Sequence, residues 1–391
     1  MPKLPELIAD YAARMHRQVS GHHVLSPLGA WLLLALVGPA TRGTHREELE
    51  AVLGIDADTA FAQASTLLRE QHPAVAAATA CWHLSAVDTA ALAAWLETLP
   101  ASTEQGDLPS QDQADAWAER VTDGLITRFP LKMTRDLVLV LATALATRIS
   151  WQRPFELTDA ADLGPVWGTE VQQVLRSVPT HRASVADTEA AGRVGVHVAG
   201  SLDGLDVVSV VAGESVPPGS VIAAAHEIAA GNVPEVALGD LPLGDGHAWK
   251  VTERVAGPGR EDQEEKRYAL IPAWHATTEL DLAATDLGFG IAAEALMALL
   301  PPGHYDHGAV QSAVASYKRE GFEAAAITGL YIRASARRPQ PRVRDLEVRF
   351  VRPYAVVAVT RGRRNGGDPW HDPWWGMPVF SAWVERADNA S

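Results

Sequence analysis

Ser26 to Gly54 reads SPLGAWLLLALVGPATRGTHREELEAVLG, an apolar stretch that passes directly into a charged one. The apolar run extends from Val24 to Ala40 and contains Ser26, Pro27, Gly29, Gly38 and Pro39. Those interruptions suit a buried helix and disqualify a membrane span. Thr44-His-Arg-Glu47 has the form of a capping box, which predicts a second helix opening there and stopping at Gly54.

Further along, Trp117, Ala118 and Val121 recur at helical spacing from Ala114, with Gly124 as the expected C-cap. Leu137 to Ala146, LVLVLATALA, has the length of a strand covered on both faces or of a short helix, and periodicity leaves both open. In the last third, Leu346, Val348 and Phe350 alternate with Glu347 and Arg349, a half-buried strand pattern. Tyr354 to Thr360 and Pro378 to Val384 are apolar runs of strand length. Helices first and strands later predict an α+β fold.

Composition agrees. Of 391 residues, 47% are hydrophobic and 21% charged, which excludes a disordered or collagen-like chain. The 48 acidic against 33 basic residues argue against a general nucleic-acid binder. Neither a repeat nor a low-complexity linker divides the chain, so a single domain over 1–391 is expected. Cys81 is the only cysteine, so an internal disulfide or a cysteine-based zinc cluster is excluded. The opening MPKLPELIADYAARMHRQ lacks the apolar core of a signal peptide, which predicts a cytoplasmic location, with an extracellular one as the alternative.

From about Val24 to Val384 the order of segments resembles the serpin family, as a bacterial-type member without a signal peptide. Ser26 to Gly54 looks like that family's buried second helix and the helix after it. Thr122, Gly124 and Ile126 match its Thr-x-Gly-x-Ile, and Trp151, Pro154 and Phe155 its Trp-x-x-Pro-Phe. Leu270-Ile-Pro-Ala-Trp274 is similar to its Leu-Pro-Lys-Phe segment. Glu320-Gly321-Phe322-Glu323-Ala324-Ala325-Ala326-Ile327-Thr328 resembles the hinge of its reactive loop. Arg352-Pro353-Tyr354 and PVFSAWV resemble its last strands.

The resemblance implies a large central sheet, smaller sheets, about eight helices and an exposed loop over about 321–345. It also implies a suicide-substrate inhibitor of a serine or cysteine protease, working as a monomer without cofactor, metal or catalytic residue. A protease cuts the loop, which then inserts into the central sheet. Alternate residues of a strand face one side, so Phe322, Ala324, Ala326 and Thr328 would turn inward together. Small inward residues suit insertion into a close-packed interior, and Phe322 departs from that pattern. Taken alone, the Ala run also suits a helix.

Fifteen residues on from Gly321, the family's usual count, lies the bond Ser335–Ala336. The candidate scissile region is Arg333, Ala334, Ser335, Ala336, Arg337 and Arg338. The arginines suit a trypsin-like protease, and the neutral bond an elastase- or subtilisin-like one. A sheet-opening cluster is implied at Ser26, Gly29, Thr143 and Gln311, of which only Ser26 keeps the family's residue type. The alternative is a non-inhibitory serpin-like protein, its loop a plain substrate or its basic end a binding module. Ten arginines against Asp345 and Glu347 give 333–364 a charge of +8. That region could attract an acidic partner or polyanion, or be a solvated set of strand edges and loops with some arginines paired to the acidic body.

Other constellations carry less. His304-Tyr-Asp306-His307, His22-His23 and His371-Asp372 lack close metal-ligand spacing. The glycines of 257–259 and 244–246 read as hairpin turns, and no GxSxG elbow is present. Cys81 reads as a buried small hydrophobe. Trp370, Trp374 and Trp375 could form a binding platform or a cover over a sheet face.

Overall fold

The computed structural model describes residues 3–147, 149–167, 171–231, 233–256, 264–320, 342–362 and 372–390. The first part is mostly helical: α1 (Leu4–His16), β1 (His23–Leu25), α2 (Pro27–Val37), α3 (Gly43–Leu53) and α4 (Ala57–Arg69). Next come β2 (Ala76–His83), α5 (Ala90–Thr98), β3 (Glu104–Asp107), α6 (Gln111–Val121) and β4 (Leu139–Ala146). Strands then take over with β5 (Glu156–Asp159), β6 (Gln173–Arg176), β7 (Arg182–Thr188), β8 (Gly192–Gly200) and β9 (Leu205–Val211). α7 (Pro218–Ala229) precedes β10 (Gly244–Asp245), β11 (Trp249–Val255), β12 (Arg267–Ile271) and β13 (Trp274–Asp281). The chain closes with α8 (Phe289–Met297), β14 (Val310–Tyr317), β15 (Arg342–Arg349), β16 (Tyr354–Thr360) and β17 (Pro378–Val384). Among the described residues, eight α-helices and several sheets make this an α+β fold.

Two compact units contain these elements. The first comprises Met1–Arg148, Thr277–Ala315 and Thr360–Ser381; the second, Ile149–Ala276, Ser316–Val359 and Ala382–Ser391. In the first, α2 is buried at every position but Leu33. A helix apolar on all sides needs cover on all sides. Its N-cap is Ser26, whose Oγ accepts from Gly29 N at 3.4 Å. Beside it, β2 is flanked by β3 and β4, and β2 and β4 run antiparallel from Ala76↔Ala146 to His83↔Leu139. That ladder settles Leu139–Ala146, eight of the ten residues of the apolar run, as a strand.

Two helix ends differ from expectation. α3 begins at Gly43, with Arg42 at the N-cap and no side-chain cap bond. Gly43 at φ +54 turns the chain into the helix one residue before Thr44, so the expected Thr44–Glu47 box does not cap it. Gly54 does end it, left-handed at φ +75, its N–H donating to Glu50 O at 2.8 Å. α6 starts at Gln111, ahead of the expected Ala114, behind a true capping box between Ser110 and Gln113. Its end explains Thr-x-Gly-x-Ile: Thr122 Oγ1 donates to Ala118 O at 2.7 Å and accepts from Ile126 N at 3.0 Å. Gly124, at φ +77, donates to Glu119 O.

In the second unit one sheet has the order β10–β11–β15–β12–β6–β5. β15 lies antiparallel to β11 and parallel to β12. The glycines at 244 and 246 form the expected β10–β11 hairpin, closed by Gly246 N donating to Trp249 O at 2.7 Å; the turn expected at 257–259 lies outside the described residues. In a second, six-stranded sheet β17, β16, β9, β8 and β7 follow one another. Val194, Val196, Val208 and Val210 meet Val221 and Ile222 of α7 in its core. At Gly195 a Cβ would stand 2.8 Å from Val348 Cγ1, so only glycine lets β8 approach β15 this closely.

Candidate functional site

Within the first unit, β4 and β14 face each other across a cavity of about 100 Å³. Among the described residues no hydrogen-bonded ladder joins the two strands: β4 ends the order β3–β2–β4, and β14 pairs with β13 alone. Leu141–Thr147 line one side and Val310–Val314 the other, with α2 and α6 closing the remaining faces. Several wall residues are small, including Ala142, Ala144, Ser312 and Ala313.

The four residues of the implied sheet-opening cluster meet at the end of this cavity. Gln311 Oε1 accepts from Ser26 N at 3.0 Å, and Gln311 Nε2 donates to Ser26 O at 2.9 Å. Thr143 Oγ1 donates to Gly29 O at 2.9 Å, while Ser26 Oγ donates to Val379 O at 3.2 Å. One residue from each facing strand is therefore bonded to the first turn of α2. A Cβ on Gly29 would come within 3.1 Å of both Leu145 Cδ1 and Ser26 Oγ, a tight fit.

The implied hinge begins at Glu320, in the second unit, where the strand end is clamped. Trp151 N donates to Glu320 O at 3.4 Å, Trp151 Nε1 to Lys318 O at 2.9 Å, and Phe155 N to Arg319 O at 2.9 Å. This gives Trp151 and Phe155 of the Trp-x-x-Pro-Phe segment a structural role. Gly321, Phe322, Glu323, Ala324, Ala325, Ala326, Ile327 and Thr328 lie outside the described residues. So do Arg333, Ala334, Ser335, Ala336, Arg337 and Arg338.

Of the Arg-rich region, Arg342, Arg344, Arg349, Arg352 and Arg361 are described. Arg342 pairs with Glu253 at 2.8 Å. Arg344 donates from one nitrogen to the carbonyls of Leu238, Gly239 and Leu241. Arg349 pairs with Glu347 and, at 3.4 Å, with Asp245. These three are engaged by the protein itself, as the paired reading expects.

Trp374 is buried, its Nε1 donating to Glu70 O at 2.6 Å, whereas Trp375 is exposed; Trp370 and His371 lie outside the described residues. Trp374 is thus packed inside the protein, and Trp375 is not. Cys81 is fully buried, and burial pushes its thiol up to about 12. Among the described residues no group of three His, Cys, Asp or Glu is placed to hold a metal, and no helix is long and apolar enough to cross a membrane.

Sequence reading missed one polar chain altogether. Ser381 Oγ lies 2.7 Å from His16 Nε2, and His16 Nδ1 lies 2.7 Å from His23 Nε2. His23 Nδ1 in turn lies 2.7 Å from Gly21 O. The order resembles a nucleophile and its bases, but Ser381 is only 2% exposed, so the chain ties α1, β1 and β17 together inside the core. No local signal could have found it, because His16 and Ser381 are 365 residues apart.

Residues 6–163 match the family model Serpin (serine protease inhibitor). No curated protein matches the chain in sequence. Among solved structures, tengpin, a thermophilic serpin in its native state, aligns with TM-score 0.65 at 13% identity, covering 97% of this chain and 93% of that one. Human thyroxine-binding globulin complexed with thyroxine aligns with TM-score 0.63 at 14% identity over 99% of each chain. Serpin48 of the insect Tenebrio molitor aligns with TM-score 0.58 at 15% identity over 98% of each. At these identities the likeness is one of fold.

Proposed function

We propose that this chain, whose fold aligns with solved serpins and whose residues 6–163 match the serpin family model, is a suicide-substrate inhibitor of a serine or cysteine protease. The observation that carries this reading is the unpaired approach of β4 and β14 around a cavity walled by small residues. Both strands have peptide groups to offer along their facing edges, and an added strand would satisfy them. The chain leaves β14 through Glu320, so a segment turning straight back would lie antiparallel beside it. Ala324, Ala326 and Thr328 then present small side chains to the interior. The bait is the stretch from Arg333 to Arg338.

The test is incubation with trypsin and, in parallel, a subtilisin-like protease, followed by a denaturing gel and mass analysis of the fragments. A covalent band near the summed masses supports inhibition and places the bond. Cleavage in 333–338 with the protease still fully active overturns it for those targets.

A second reading, a non-inhibitory serpin whose loop is a plain substrate, draws on Gln311. Its two bonds to Ser26 must both break if β14 is to shift over α2, which opposes opening of the sheet. Clean nicking without a covalent band is its expected result. A third role for the basic end, binding an acidic partner or polyanion, is weakened by the internal pairing of Arg342, Arg344 and Arg349.

A further inference from the structure

Behind the Trp151–Phe155 clamp lie two buried imidazoles, both in the second unit. His181, just before β7, is 4% exposed and donates from Nε2 to Arg153 O at 3.0 Å. His197 on β8 has no exposure, and its Nδ1 is 3.3 Å from the hydroxyl of Tyr317, the last residue of β14. The two ring centroids are 5.4 Å apart. Each ring keeps one buried nitrogen without a hydrogen-bond partner, Nδ1 of His181 and Nε2 of His197.

Phe155 seals the pair against the clamp, its centroid 4.5 Å from His181 and 5.5 Å from His197. Trp151 lies tilted against Tyr317, with centroids 5.1 Å apart, and edge-on to His181 at 6.5 Å. The imidazoles therefore touch the residues whose amide and indole N–H groups hold Lys318 to Glu320.

We propose that His181 and His197 form an acid-sensitive latch, which releases the end of β14 from Trp151–Phe155 when the surroundings turn mildly acidic. The titratable groups facing the pair are each other and the Tyr317 hydroxyl, and the clamp segment contributes only the Arg153 carbonyl. Among the described residues no carboxylate is paired with either ring. A proton taken up in place would leave a cation buried away from water beside a second imidazole. Opening the clamp hydrates both rings and lets them charge.

Burial pushes His181 down to about 4, and burial together with His181 holds His197 well below the usual range. The open form thus binds protons that the closed form refuses between about pH 6.5 and pH 4. From His181 alone, the open population should rise about twentyfold between pH 7 and pH 5. The latch goes beyond the inhibitor reading and stands or falls apart from it.

Hydrogen exchange of the intact protein at pH 7 and pH 5, corrected for intrinsic chemistry, reads this directly. The Trp151 and Phe155 amides are the bonds that open. The expected result is opening of the 150–156 region raised about tenfold or more, while the β11–β15 ladder stays unchanged. His181→Phe combined with His197→Leu should abolish most of the rise. No rise at 150–156, an equal rise in the β11–β15 ladder, or a rise that persists in the double variant overturns the latch. If the double variant does not fold, the comparison of the two regions in the unaltered protein decides.

Discussion

The carboxamide of Gln311 binds both backbone groups of Ser26, accepting from its N–H at 3.0 Å and donating to its C=O at 2.9 Å. A side chain on β14 thereby completes the hydrogen bonding of the turn that starts α2. Thr143 does half as much from β4, donating to Gly29 O. The strands that flank the cavity are each tied to the same helix start.

Gln311→Leu removes both bonds and leaves the Ser26 peptide groups without these partners. The expected loss is about 2 kcal/mol of unfolding free energy, measured by urea denaturation at neutral pH. An unchanged midpoint would show that water replaces the carboxamide.

Phe322→Thr tests the hinge. A smaller side chain at the first inward position should raise the fraction of covalent complex over nicked product, by severalfold, in the protease assay. If the ratio does not move, the ring at 322 is not what limits insertion.

His226 on α7 gives the second unit a pH dependence of its own. It is buried, its Nε2 lacks a partner, and burial lowers it to about 4 from an ordinary 6.5. The folded state therefore binds fewer protons than the unfolded state between those values, so its contribution is full above about pH 6.5 and is lost as pH falls towards 4. The loss should reach roughly 3 kcal/mol. Urea midpoints from pH 7 to pH 4 should show a shallower fall for His226→Gln, and identical slopes would remove His226 from the account.

Cys81 should be silent in the native state. With no exposure and a thiol pushed to about 12, it offers almost no thiolate at pH 8. A thiol reagent should label it only at the rate of unfolding, and fast labelling of folded protein would contradict the burial of β2.

Short-range chemistry made much of the fold legible in sequence. The all-apolar α2, the Gly54 stop and the three late strands follow from burial and local backbone preference, and all appear where the residues put them. Local rules failed where two of them competed. Thr44–Glu47 has the letters of a capping box, yet Gly43 had already turned the chain, while the working box at Ser110–Gln113 precedes a helix read as starting later.

Sequence by itself therefore determined the fold class, the order of segments and the residue types at Ser26, Gly29, Thr143 and Gln311. Tertiary structure alone decided that Leu139–Ala146 of LVLVLATALA is a strand, because only the ladder to β2 distinguishes two conformations with the same apolar run. It also decided that Gln311 serves the backbone of Ser26, that His16 meets Ser381, and that two imidazoles lie behind the clamp on β14. Those relations join residues far apart in the chain. Their geometry depends on how whole elements pack, and no local pattern of letters encodes it.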